Sequence, residues 1–457
     1  MKIDFLRIWL YVLPLLLSAP VSQAEEIPNA KRGYELLRTK AYLPADLDQK
    51  VFNQLWSAWS ADEKQPLVKV KAEDRQHLIL QHYGLTSAPE DDHTKGVSPA
   101  LGYVVDEQAQ WHMNCFLCHG GEVEGVSYPG APNTEVDLQS FAEDILKVKL
   151  WQFKPPGSLD SASLTMSLGG TRGTTNAVIF GVSLKRFWDE NMNLTEPKEF
   201  GRLIDHDMDA PPWWHYKKKT RLYCDGFAPK YHRLLMQFAM VPSTDAETFK
   251  SWEDDFRHIQ AYLESIQAPA YPYLVDQKLA AQGRKVFEQN CAECHGTYGK
   301  QSTYPERMIP IDEIGTDRVR WEVLTPKDRE WTKKGWMSLN GKLEVLTKPE
   351  GYVAPPLDGI WASAPYFHNG SVPTLWDVLH PKQRPVLWKR TAKRIDQQKV
   401  GFPVERLEQL PTQIDSVSQK RRYFDTRKFG KSAEGHWYPD QLTEPEKQAV
   451  LEYLKTL

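Results

Sequence analysis

The sequence predicts a mainly α chain of two small helical domains with long loop-rich insertions and little β structure. Three observations predict it. The pentapeptide C-x-x-C-H occurs twice, apolar residues recur at three- and four-residue spacing around both copies, and the stretch between them is dense in glycine, proline and turn dipeptides.

The elements follow in chain order. Lys2 and Arg7 precede an apolar run from Ile8 to Leu17, and small residues end in Ser22-Gln23-Ala24, the layout of a secretory signal cleaved after Ala24. The run is shorter than the ~20 residues that span a bilayer. The mature chain is therefore expected to be periplasmic or secreted, with no transmembrane segment. From Ala30 to Tyr83, "GYELL", "VFNQLWSAW" and "RQHLILQHY" carry helical periodicity, and breakers dominate from there to about Gly102. Trp151 to Trp214, with "KPPG", "LGGTRGTTN" and "DAPPWW", reads as loops wrapped on an internal object. A helix is predicted from about Ser243 to Ile266, and the prolines of "APAYPY" break it, which places the domain boundary within residues 267–273. Residues 1–24 are then the signal, 25–270 the N-terminal domain and 271–457 the C-terminal domain. "DQKLAAQGRKVFEQN" predicts an amphipathic helix that runs into the second cysteine motif. In "LTEPEKQAVLEYLKTL", Thr443 and Glu446 form a capping box for a last helix packing through Val450, Leu451 and Leu454.

Composition narrows the function classes. At 41% hydrophobic and 26% charged residues, the 457-residue chain is of ordinary globular type. Its 57 lysines and arginines nearly balance 60 acids, so non-specific phosphate binding has no electrostatic basis and nucleic acid is set aside as a partner. Four of the five cysteines lie in the two pentapeptides, leaving Cys224 as a buried small apolar residue rather than half of a disulfide.

The pentapeptides are Cys115, Cys118, His119 and Cys291, Cys294, His295. Cysteines three apart share a helical face and can bond to two porphyrin vinyl groups, while the next histidine projects beneath the ring to ligate iron. A single copy also suits part of a zinc site or a redox dithiol. Two copies, each preceded by Asn and followed by Gly in an exported chain, point to two covalently bound c-type haems in two cytochrome c-like domains. Asn114 and Asn290 are candidates to hydrogen-bond at their motifs, and Arg318 and Arg320 to pair with propionates. A closed iron carries electrons and an open one binds oxygen or peroxide, so the sixth ligand decides the class of function. Met308, Met337, His368, His380 and His436 are on offer in the second domain. His206, His215 and His232 are on offer in the first, where His112 is discounted because it sits three residues before Cys115. Trp111, Trp151, Trp213, Trp214 and Trp321 are candidates to lie between or beside the haems.

At "GIWASAPYFHNGSVPTLWDVL", residues 359–379, the chain resembles the bacterial di-haem cytochrome c peroxidase superfamily, which includes the haem-dependent rubber oxygenases and the methylamine dehydrogenase maturation enzymes. With "IPIDEIGTD", Arg384-Pro385, "VGF", "AEGH" and the C-terminal helix, it looks most like the rubber-oxygenase-like branch. The resemblance covers residues 274–457 well and the first domain mainly through its haem motif. Residues 211–238 resemble uncharacterised exported members of the group. The resemblance implies that His368 of "YFHNG" lies near the haems and organises hydrogen bonds, and that His436 of "AEGHWYP" is the distal ligand of the C-terminal haem. The peroxidases use a methionine soon after "YFH", and residues 369–390 contain none, which implies a bis-histidine haem of lower potential. For the N-terminal haem no distal ligand can be matched. His232 is the first catalytic or distal candidate, with His206 and His215 behind it and an open position as the alternative. Asp312 and Asp317 could give oxygens to the calcium that the peroxidases carry, but nothing further supports that ion.

The expected function is therefore an exported di-haem oxidoreductase of peroxidase-like or oxygenase-like type. Its partners would be a small-molecule oxidant, peroxide or oxygen, and an electron donor or organic substrate. A two-haem electron carrier without catalysis is the alternative from a different class, and a haem-based sensor a third.

Overall fold

Two pairs of crossed helices frame the chain, and each pair meets at a glycine. The computed structural model describes residues 27–90, 92, 98–198, 204–414 and 416–457; the signal expected at residues 1–24 lies outside the described residues. Helix α1 (Ala30–Thr39) begins at Asn29, whose side chain accepts from the Arg32 N–H, and packs on α2 (Glu253–Ser265). Helix α3 (Gln277–Asn290), capped by Asp276, packs on α4 (Glu444–Leu454). A Cβ at Gly33 would stand 2.1 Å from the His258 carbonyl oxygen, and one at Gly283 would stand 1.8 Å from that of Ala449. Only glycine allows backbones to approach so closely. The two crossings share a pattern, Ala30-x-x-Gly33-x-x-x-Leu37 and Ala280-x-x-Gly283-x-x-x-Phe287, and Leu37 and Phe287 are both buried. The Thr443 and Glu446 capping box opens α4, and Val450, Leu451 and Leu454 are buried, as the periodicity predicts.

The crossing can be tested. Alanine is the better helix former by about 1 kcal/mol, yet Gly283→Ala is expected to destabilise the protein by about 1–3 kcal/mol net, because its methyl meets backbone and the helices must separate. A denaturation midpoint at or above the parent's would refute this.

Helix is the main element and the sheets are small. Strands β1 (Ala45–Asp48), β2 (Tyr103–Val105) and β3 (Gln110–Met113) form an antiparallel sheet in the order β1-β3-β2, and β3 leads directly into the first C-x-x-C-H. In the second half β4 (Leu387–Arg390) pairs with both β5 (Val404–Leu407) and β6 (Tyr423–Asp425). The expected helix Ser243–Ile266 is instead two, Ala246–Ser251 and α2, parted at Trp252. Glu253, Asp254 and Asp255 follow the break and favour a new N-terminus there. The stretch 151–214, expected as loops, contains the helices Ser158–Thr165 and Ala177–Lys185. Gly157 and Asp160 start the first, and Ile179 and Val182 bury the second.

Residues 266–276 join α2 to α3 as a loop where the boundary was expected, but packing crosses that boundary. One apolar cluster unites Trp188, Trp214, Phe227 and Met240 with Leu324, Trp331, Met337 and Val345. Beside it, buried Asp225 accepts from Arg320 at 3.0 Å and from Arg329 at 2.6 Å. Burial alone would raise the Asp225 carboxyl; the two guanidiniums outweigh it and hold the group below the ordinary carboxylate range. This corrects the propionate role suggested for Arg318 and Arg320. Arg320 is committed to Asp225, and exposed Arg318 to Asp312 and Glu322, because carboxylates of the chain itself reach them. No helix among the described residues is long and apolar enough to cross a membrane.

Candidate functional site

The second C-x-x-C-H is built by the end of α3. Cys291 closes that helix, and its carbonyl accepts from the N–H groups of Cys294 and His295, so one short turn, Ala292–His295, carries the motif. His295 Nδ1 bonds to the Pro355 carbonyl oxygen at 2.9 Å, which turns Nε2 the other way. Facing it is His436: the ring centroids are 6.2 Å apart with an interplanar angle of 64°.

The chain fixes His436 through its backbone. Arg384 Nη1 donates to the carbonyls of Ala433 and Gly435, each at 2.7 Å, and the His436 N–H donates to Ile314 at 2.7 Å. Gly435 has φ +79°, and a Cβ there would stand 2.3 Å from the Gly315 backbone. His436 itself has φ 51°, in the left-handed region. Burial, then the neighbouring His295 and Arg384, push the His436 imidazole down to about 3. It is a neutral nitrogen donor at physiological pH. Its Nδ1 is buried without a hydrogen-bond partner.

The first C-x-x-C-H repeats the proximal half of this arrangement. Asn114 donates to the carbonyls of Leu37 and Leu101 and accepts from the Phe116 N–H, anchoring the motif as expected of it. His119 Nδ1 bonds to the Pro211 carbonyl oxygen at 3.1 Å, and burial pushes its imidazole down to about 4. The two carbonyls come from one repeated tripeptide, Ala210-Pro211-Pro212 and Ala354-Pro355-Pro356. That tripeptide is the signal that sequence reasoning missed. Among the described residues no second imidazole faces His119; the ring stacked beside it is Trp213, from the same proline loop, with centroids 4.9 Å apart and planes 22° from parallel.

The two proline loops touch. Trp214 Nε1 and His215 Nε2 both bond to the Asp358 carbonyl oxygen at 2.8 Å, so each loop holds one motif histidine and also the other loop. The "APYFHNG" turn lies across the same junction. Phe367 stands 6.1 Å from the His436 ring, and the His368 carbonyl accepts from the Asp209 N–H, two residues before Pro211. The His368 ring packs on Tyr352 at 4.5 Å, and burial pushes it down to about 3.

Other candidates are engaged elsewhere. His232 Nε2 bonds to Glu253 at 2.9 Å and its ring lies on Tyr231. Both His112 nitrogens are taken, by the Leu43 carbonyl and Asp106, and both His380 nitrogens by the Trp376 carbonyl and Glu444. His206 bonds through Nδ1 to the Ile204 carbonyl, leaving Nε2 buried and unpartnered. Met337 belongs to the core around Trp331. Trp111 stacks on Phe52, Trp321 donates to the Pro349 carbonyl and Trp151 is exposed, so of the expected tryptophans only Trp213 and Trp214 lie at the motifs. Among the described residues no three histidines, cysteines or acids converge as a metal cluster; Asp317 accepts from the N–H groups of Val319 and Ser432.

Whether the C-terminal pair fits a haem can be tested on distance. A ring centroid lies roughly 1.1 Å from its nitrogens and imidazole binds metal at about 2.0–2.1 Å, so two imidazoles on opposite sides of one ion have centroids roughly 6.3 Å apart. A direct N–H···N bond of about 2.9 Å would bring them to roughly 5.1 Å. The observed 6.2 Å matches the first. The cysteines are free thiols rather than a disulfide, and burial pushes Cys118 and Cys291 up to about 12. The residues fit.

Comparison with known proteins points the same way. Residues 351–389 match a family described as RoxA-like, cytochrome c-like. This stretch holds Pro355, His368 and Arg384. It supports the rubber-oxygenase-like cytochrome branch and suggests a haem-binding cytochrome. The chain is also similar to two uncharacterized proteins of Sinorhizobium fredii (strain NBRC 101917 / NGR234). One, y4iM, is 30% identical over 234 residues, 43% of this chain and 52% of the relative. The other, y4iJ, is 28% identical over 245 residues, 40% of this chain and 39% of the relative. The chain thus spans about half the length of the first and less of the second.

Proposed function

We propose that this chain is an exported di-haem c-type cytochrome acting as a peroxidase-like or oxygenase-like oxidoreductase. On this reading residues 25–270 and 271–457 are its two haem domains, with covalent links at Cys115 and Cys118 and at Cys291 and Cys294. The observation that carries it is the contrast between the motifs: His295 faces His436 across a metal-sized gap, whereas His119 stacks on Trp213 of its own proline loop and, among the described residues, faces no second imidazole ring. A haem held at an open iron position supplies redox chemistry on peroxide or oxygen, and a closed bis-histidine one supplies electrons at lower potential.

The chain's part is to hold and orient. The carbonyls of Pro211 and Pro355 fix the tautomer of each proximal imidazole by accepting a hydrogen bond from its Nδ1–H, which also makes the ring a better donor. Arg384 holds the loop that presents His436. The Trp214 to Asp358 bond joins the two proximal loops, supporting electron exchange between the domains. The oxidant is peroxide or oxygen, and an electron donor or organic substrate completes the reaction.

Low-temperature EPR with optical spectra, on protein matured with its haems and then half-reduced, tests the reading. One high-spin signal that changes with peroxide, oxygen or carbon monoxide is the expected result. Two low-spin irons inert in every redox state would instead make the protein an electron carrier.

A further inference from the structure

A cavity of about 630 Å³ opens between the two halves of the chain, away from both C-x-x-C-H motifs. Its size is that of a small-molecule site, and such sites favour the junction of two domains. One wall comes from residues 59–82, 134–135 and 171–174, and the other from residues 365–424.

The charge lining it is one-sided. Arg172, Lys389, Arg390, Lys393 and Arg422 face one carboxylate, Glu135. Glu135 is shared by Arg172 at 3.1 Å and Arg390 at 2.7 Å, leaving that trio with an excess positive charge. Lys393 and Arg422 spend their charges on Glu122 and Glu63 outside the lining. Lys389 has no carboxylate partner among the described residues and lies 5.3 Å over the Tyr423 ring. Two positive charges therefore go uncompensated in a half-enclosed space. The same positive potential shows at His82, which burial first, then Arg422 and Arg172, push down to about 3.

Part of the remaining lining is aromatic, set among leucines and threonines. Trp59 and His82 stack at 3.7 Å and 14° on one wall, while Trp388 and Phe424 stack at 5.1 Å and 5° on the other. Phe402 carries the Arg390 guanidinium 3.8 Å above its ring. Trp59, Trp388, Phe402 and Phe424 are buried and give the cavity apolar margins rather than open ring faces; such margins accept an aromatic body edge to face, and guanidinium and ammonium groups bind carboxylate oxygens with charge-assisted bonds. We propose that this cleft is a binding site for an aromatic carboxylate, its ring body between the two stacked pairs and its carboxylate on Lys389 and the Arg172 and Arg390 pair. Pro365 and Gly370 form part of its lining, so the occupant sits behind the turn whose Phe367 faces His436. The inference stands on the cleft alone and does not require the haem reading.

Calorimetry on the haem-loaded protein tests it with three probes: 2-naphthoate, the neutral 2-naphthalenemethanol and inorganic phosphate. Saturable one-to-one binding of naphthoate, with both others much weaker, is the expected result. Lys389→Gln should weaken naphthoate about tenfold or more, the worth of one charge-assisted hydrogen bond. Lys382→Gln removes a cation that pairs with Asp440 outside the cleft and should change nothing. Circular dichroism establishes that both variants are folded. No saturable binding of naphthoate, equal binding of the alcohol or of phosphate, or an unchanged affinity in Lys389→Gln would each overturn the proposal. The EPR result above would be untouched by any of them.

Discussion

Replacing His436 is expected to convert the C-terminal iron from low-spin to high-spin almost completely, while both cofactors stay attached. The 6.2 Å between the His295 and His436 rings matches the separation of two imidazoles on one ion, so on the proposed reading removing one ring opens a coordination position rather than loosening a packing contact. The neighbourhood offers no substitute. Phe367 has no donor atom, and Tyr438, 5.5 Å from the His436 ring, spends its hydroxyl on Glu313 at 3.1 Å. The loop cannot easily refold to bring another side chain in. Arg384 and Ile314 hold it through backbone groups that the substitution leaves intact. The choice of variant matters because φ is 51° at this position, and alanine in the left-handed region costs about 1–2 kcal/mol. Histidine already meets that strain, but His436→Gly removes the ring and relieves it, so the glycine variant separates ligation from stability. Added imidazole should restore the low-spin spectrum in both variants. A spectrum unchanged in His436→Gly would end the assignment.

Why this candidate ligand could be anticipated and other features could not follows from how local each signal is. C-x-x-C-H, the Thr443 capping box and the periodicity of α3 and α4 are short-range patterns, and the structure contains each of them. His436 was reached through resemblance, since nothing in its own neighbourhood points to a partner 141 residues away. The proline carbonyls on His119 and His295 went unread although the tripeptide Ala-Pro-Pro occurs in both halves, because a backbone acceptor leaves no mark in side-chain chemistry. His232 looked available for the opposite reason. Its partner Glu253 lies on another helix, and sequence spacing alone cannot show a ring nitrogen to be occupied. The break at residues 267–273 is a real loop. Yet Asp225 and Arg320, 95 residues apart on either side of it, form a buried pair, and such pairs are set by tertiary packing alone.

The second large effect concerns attachment. Cys291→Ser with Cys294→Ser is expected to halve the covalently bound haem, and Cys115→Ser with Cys118→Ser, made separately, to halve it through the other site. Each pair sits on one turn with its histidine, and all four thiols are free, so the links at the two motifs should form and fail independently. Their spectra should differ. Losing the C-terminal group removes the low-spin bis-histidine signal and leaves the one that responds to peroxide, while losing the N-terminal group leaves a low-spin iron inert to added ligands. The structural cost should differ too. Without the iron the facing nitrogens of His295 and His436 would have no partner between ring centroids 6.2 Å apart, and an unsatisfied buried group costs about 1–3 kcal/mol. The Cys291 and Cys294 pair should therefore lower stability as well as haem content, measured by denaturation beside haem-stained gels and intact mass. Full haem content after either double substitution would overturn covalent attachment at that motif. Equal spectra from the two variants would overturn the division into one closed and one open site.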